Sequence, residues 1–162
     1  MRIRLLLLFL FFTKIAFSQN STNPEAKNTI SVSGSYIFLD ESASINYERL
    51  LFKLHDETKI LLSVGYGKWF WVSNYNYGST VIPITLNFLS GIGNNHFELD
   101  LGVAIETNLS EACYIFDYEK TNVTNPAYIL NIGYRYQKPK GGILFRTYIG
   151  LEGIGIGLGY AF

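Results

Sequence analysis

The stretch FELDLGVAIE, residues 97–106, alternates strictly. Phe97, Leu99, Leu101, Val103 and Ile105 are large and apolar, and Glu98, Asp100, Gly102, Ala104 and Glu106 stand between them. A side-chain period of two places neighbouring residues on opposite faces, the geometry of a strand with two unlike sides. The same alternation runs from Asn28 to the C-terminus. It predicts eight strands, over 28–38, 42–52, 58–68, 79–90, 95–106, 127–138, 142–151 and 153–162.

One face of each segment is apolar. It carries Ile30, Val32 and Tyr36 in the first strand and Ile154, Ile156, Leu158, Tyr160 and Phe162 in the last. The opposite face is polar or small: Ser31, Ser33 and Ser35 at the start, Asn46 and Glu48 next, Arg135 and Arg146 later, and Gly155, Gly157, Gly159 and Ala161 at the end. Arg49 falls on the apolar face of the second strand. Either it snorkels at an interface or a bulge shifts the phase there.

The connections alternate in length. Short turns at 53–57, 91–94 and 139–141 lie at one end, and longer loops at 69–78 and 107–126 at the other. This layout predicts an all-β, eight-stranded antiparallel up-and-down barrel. An eight-stranded barrel is only wide enough inside for side chains to fill it. More than thirty large apolar side chains lie on the greasy faces, too many for that lumen. The apolar face therefore points outward, toward lipid, and the small and polar face lines the interior. Aromatics are expected to form two interface girdles. Phe88, Phe97, Tyr134, Tyr136, Tyr160 and Phe162 would mark one end, and Tyr36, Phe38, Tyr66, Trp69, Trp71 and Tyr128 the other.

The N-terminus has a different character. Arg2 and Arg4 precede an unbroken apolar run of eight residues, Leu5 to Phe12, and Ala16 and Ser18 occupy small-residue cleavage positions. The run is shorter than the roughly 20 apolar residues of a spanning helix, so it reads as a cleaved signal peptide rather than an anchor. The expected organisation is a signal peptide over 1–18, with cleavage between Ser18 and Gln19. A flexible tail follows over 19–27, and the barrel domain over 28–162. Removing residues 1–18 leaves ten basic and thirteen acidic residues, a net charge of −3. No basic patch is present, which argues against nucleic acid as a partner. Cys113 is the only cysteine, so no internal disulfide staples the fold.

Three stretches carry a resemblance: FSQN at the end of the signal peptide, SINYERLL at 44–51, and GLGYAF at the C-terminus. With them the chain resembles the small eight-stranded outer-membrane barrels of Gram-negative bacteria, the OmpA/OmpX-like group. More closely, it looks like uncharacterised outer-membrane β-barrel proteins of Bacteroidota. The resemblance implies an outer-membrane location among outer-membrane lipid. It also implies an assembly signal on Ile154, Ile156, Leu158, Tyr160 and Phe162, read by the barrel-assembly machinery.

Sites of chemistry are sparse. The glycines at 153, 155, 157 and 159 read G-x-G-x-G-x-G, without the spacing or the following helix of a phosphate cradle. His55 and His96 adjoin short turns and are expected to be solvated, so neither a metal site nor a cofactor is expected. Glu48, Glu98, Asp100, Arg135 and Arg146 fall near the same ends of their strands and should form one charged layer inside the barrel, since buried charges must be paired. The expected protein is a monomeric, non-enzymatic barrel with a plugged interior and a structural or surface-binding role through its loops. The alternatives are a lipid-modifying acyl-transfer enzyme, which needs a Ser/His pair near the outer interface, and a narrow pore.

Overall fold

The computed structural model describes residues 25–37, 40–55, 57–71, 77–109 and 126–162. Eight strands follow one another: β1 (Asn28–Ile37), β2 (Asp40–His55), β3 (Thr58–Trp71), β4 (Tyr77–Ser90), β5 (Asn95–Leu109), β6 (Pro126–Gln137), β7 (Gly142–Gly150) and β8 (Gly153–Ala161). Each pairs antiparallel with the next, and β8 pairs with β1, so the sheet closes into a barrel. The seam runs from Thr29↔Ala161 to Tyr36↔Ile154. Backbone hydrogen bonds between Asn28 and Phe162, at 2.9 and 2.8 Å, extend it by one further pair. Closure leaves neither of these strands as an open edge.

The faces divide as the alternation requires. Ile30, Val32, Ile45, Ile154, Ile156 and Leu158 are all exposed on the outside, whereas Ser31, Glu48, Asn87, Glu98, Asp100 and Arg135 are buried inside. Arg49 points outward near the short-turn end, paired with Asn28 and Leu62. A bulge does exist in β2, but it lies beyond Arg49, between Leu50 and Phe52. Arg49 thus keeps the outward phase of Ile45 and Tyr47, and its long side chain lies where it can reach the water interface.

Two turns show why glycine is needed. Gly150-Leu151-Glu152-Gly153 reverses the chain in two residues, and Gly153 has φ 94°, where an added Cβ would run into the Tyr36 carbonyl. In the β4–β5 turn Gly93 has φ 73°. Both conformations are strained for a residue with a Cβ. Pro83 leaves its mark as well. The β3–β4 ladder is interrupted between Val64↔Ile84 and Gly67↔Val81, where the proline brings no N–H to the sheet.

The last residues of the expected tail are held rather than loose. Ala26 N–H donates to the Pro139 carbonyl at 2.8 Å, Lys27 N–H donates to Phe162, and the Lys27 carbonyl accepts from Leu50 N–H. The Glu25 carboxylate pairs with Lys53 and, at 2.7 Å, with Lys59. Residues 1–24, with the expected signal peptide and cleavage point, lie outside the described residues.

The glycine face of β8 makes room across the sheet. Tyr148 is the register partner of Gly155, and Arg146 that of Gly157. A Cβ on Gly155 would fall inside the Tyr148 ring, and one on Gly157 would lie 2.7 Å from Arg146 Cγ. The two largest inward side chains of β7 therefore lie over two of the inward glycines of β8. Replacing Gly155 by valine should destabilise the barrel by about 1–3 kcal/mol, the usual cost of overpacking. Combined with Tyr148→Ala, the two changes should cost less than their sum, as a double-mutant cycle of urea unfolding in detergent micelles would show.

Candidate functional site

The five charged residues expected inside the barrel come together in one network. Arg135 projects from β6, with Nη2 2.6 Å from Glu48 Oε2 and Nη1 3.0 Å from Glu98 Oε1. Arg146 comes from β7. Its Nη1 lies 2.9 Å from Glu48 Oε1, its Nη2 2.6 Å from Asp100 Oδ2 and its Nε 3.4 Å from Glu98 Oε2. Glu48 and Glu98 each touch both guanidiniums, so the network cannot be split into independent pairs.

Neutral groups complete it. Arg135 Nε donates to Gln137 Oε1 at 2.8 Å, and Asn87 Nδ2 donates to Asp100 Oδ1 at 2.7 Å. The Arg146 guanidinium also sits 5.4 Å from the centre of the Tyr148 ring, within cation–π range. Arg135 and Glu48 are 0 % exposed, Glu98 1 % and Asp100 2 %. The network is therefore buried at its level of the lumen.

The space on either side is mixed in chemistry. Toward the short turns, the inward-facing Leu61, Leu89 and Leu144 are buried. Toward the long loops a polar group lines one part of the lumen. Ser33 and Ser44 share a hydrogen bond at 3.0 Å, Ser35 and Ser42 one at 2.7 Å, and Asn46 Nδ2 donates to both Ser33 and Ser44. A cavity of about 40 Å³ lies among these groups, with Arg146, Asp100 and Glu152 on its wall. Burial raises the Glu152 carboxyl, in the β7–β8 turn, above its ordinary value, with the Arg146 guanidinium pulling the other way.

Two sequence expectations need correction. His96 is not solvated; it is 3 % exposed and faces the lumen. It stands two residues before Glu98, so the parity that turns Glu98 inward turns His96 inward too. Trp69 is not in the outer girdle. It packs inside against a small apolar cluster of Val81, Ala104 and Ile129, because it shares the inward parity of Ser63, Gly65 and Gly67. That cluster and the inward leucines escaped the sequence because each is an apolar residue on the face taken to be polar. His55 closes β2, and Cys113 and Phe38 lie outside the described residues.

The five residues of the expected assembly signal all belong to the outer surface of the seam. Ile154, Ile156, Leu158 and Tyr160 are exposed, and Phe162 follows β8 as the partner of Asn28. Among the described residues no group of three or more His, Cys, Asp or Glu is placed to hold a metal ion.

No protein-family profile matches the chain, and no characterised protein sequence does. Among solved structures it is similar to the outer membrane protein Ail of Yersinia pestis, whose backbone structure was determined in a phospholipid bilayer nanodisc. The identity is 13 % and the TM-score 0.46, over 85 % of this chain and 100 % of that one.

Removing one partner from a buried ion network strands the others, at a typical cost of about 3–5 kcal/mol. Glu48→Gln, which takes a charge from both arginines, should fall in that range. Lys53→Ala, which breaks a partly exposed pair with Glu25 while Lys59 still holds that carboxylate, should change stability by less than about 1 kcal/mol. Urea midpoints of the two variants in the same detergent check the contrast.

Proposed function

We propose that this chain is a small, non-enzymatic outer-membrane barrel with a plugged interior, acting as a structural or surface-binding element through its long loops. The observation that carries the reading is where the outward charges lie. Among the described strand residues they are Glu41 and Lys68 toward the long loops and Arg49 toward the short turns. Between them runs an uncharged band that includes Val32, Ile45, Val64, Leu86, Leu101, Leu130, Ile132 and Ile156, all exposed. A continuous apolar belt of this kind is far larger than water-facing surfaces carry, and it suits the hydrocarbon layer around a barrel.

Further features support the rest of the reading. The N-terminal leader, cleaved between Ser18 and Gln19, would export the chain. The alternating apolar residues of β8, ending at Phe162, would serve the assembly machinery. The outward rings at the short-turn rim include Tyr47, whose hydroxyl donates to Asn28 Oδ1 at 2.8 Å, and Tyr134, whose hydroxyl donates to Asn95 Oδ1 at 2.6 Å. Such amphipathic rings suit a membrane interface. The filled charge layer supports a plug over a pore. Acyl transfer is the less favoured reading, since His96 lies buried at the short-turn end, away from the rim where such chemistry would operate.

The full-length chain should fractionate with the outer membrane and show heat-modifiable mobility on a gel. Leu101→Arg, at the middle of the outward band, should cost about 2–4 kcal/mol and reduce the folded fraction, whereas Lys68→Arg should leave it unchanged. A chain found soluble and folded, with Leu101→Arg tolerated, would overturn the membrane reading. Reconstituted in planar bilayers, the protein should give no steady conductance of pore size, and a stable open level would overturn the plug.

A further inference from the structure

The barrel wall is not level at the long-loop end. β7 and β8 have 9 residues each, against 16 in β2 and 15 in β5. The β6–β7 ladder stops at Asn131↔Gly150, and Leu151 N–H makes one further bond, to the Leu130 carbonyl. Beyond that point residues 126–129 of β6 pair with β5 alone among the described residues. The turn Leu151–Glu152 is thus the floor of a notch, with β6 on one side and the end of β1 on the other.

A cavity of about 220 Å³ occupies the notch. Its lining comes from both faces of the wall. Ile37, Trp69 and Ala127 have inward parity, whereas Glu41 and Tyr128 have outward parity. A cavity confined to the lumen would have inward residues alone. This one lies in the notch and borders both faces of the wall.

Its chemistry is amphiphilic and of one sign. Ile37, Trp69, Tyr128 and Leu151 offer apolar and aromatic surface, and the formal charges on the lining are the carboxylates of Glu41 and Glu152. Neither is engaged in a salt bridge with a described residue. Glu152 stands at the junction, since it also borders the smaller polar cavity above the charge network. A carboxylate at the inner end of an apolar slot favours a cation attached to a greasy chain, and the Trp69 ring adds a face that attracts such a cation.

We propose that this notch binds a single-chain amphiphile with a cationic head. The head sits at Glu152 and Trp69, and the chain leaves over Tyr128 along the outer surface of the barrel. The proposal rests on the membrane reading for the route by which the chain arrives. A protein that fails to fractionate with membranes sinks that reading; one that fractionates and folds but shows no saturable binding sinks only this one.

The test uses the full chain in phospholipid nanodiscs, carrying Trp71→Phe so that Trp69 is the only tryptophan. Dodecyltrimethylammonium should shift the Trp69 emission saturably, and dodecyl sulfate of equal chain length should not. Glu152→Gln should weaken the cationic amphiphile about tenfold or more, as expected when a partly desolvated charge pair is lost. Ala127→Phe, which fills the slot, should abolish the response, with heat-modifiable mobility confirming that both variants fold. Equal responses to the two amphiphiles, an unchanged affinity in Glu152→Gln, or a linear response that never saturates would each overturn the proposal.

Discussion

The seam between β1 and β8 is the constraint on which the rest depends. Pairing Thr29 through Tyr36 with Ala161 through Ile154 sets the circumference at eight strands, and the circumference sets the width of the lumen. A lumen that narrow leaves little room for Arg146 and Tyr148 of β7 opposite ordinary side chains. The neighbouring strand must be bare where they project, and β8 is bare at Gly155 and Gly157. The glycines are thus the volume complement of Arg146 and Tyr148.

Once inside, the guanidiniums dictate the rest of their level. Two buried positive groups require compensation, and β2 and β5 supply Glu48, Glu98 and Asp100 within 3.4 Å. Desolvation makes such a network a weak source of net stability but a severe penalty when any member is lost. Its consequence here is specific pairing. A one-residue slip of β2, β5, β6 or β7 would carry its charge from the lumen to the apolar outer face. The network therefore holds four strands in register as well as closing the interior.

The outer surface and the long-loop rim follow different rules. The outer face needs only apolar area between charged ends, which many residue choices satisfy. The rim is shaped by unequal strand lengths. The short β7–β8 hairpin leaves Leu151 and Glu152 low in the wall, and the aromatic surface of Trp69 and Tyr128 faces the opening above them.

By itself the sequence determined the strand count, the two faces and the charged level, because a period of two is a local property of neighbouring residues. The inward direction of Glu48, Glu98, Asp100, Arg135 and Arg146 follows from parity alone. Tertiary structure decided who meets whom: that Glu48 and Glu98 each serve both arginines, and that Tyr148 lies over Gly155. It also decided that Trp69, inward by its own parity, packs on Val81 and Ile129, and that His96, inward by its own parity, stands beside Arg135 of the network. These outcomes depend on register, tilt and relative strand length around a closed sheet. Such quantities are set by all eight strands together, and no single segment encodes them.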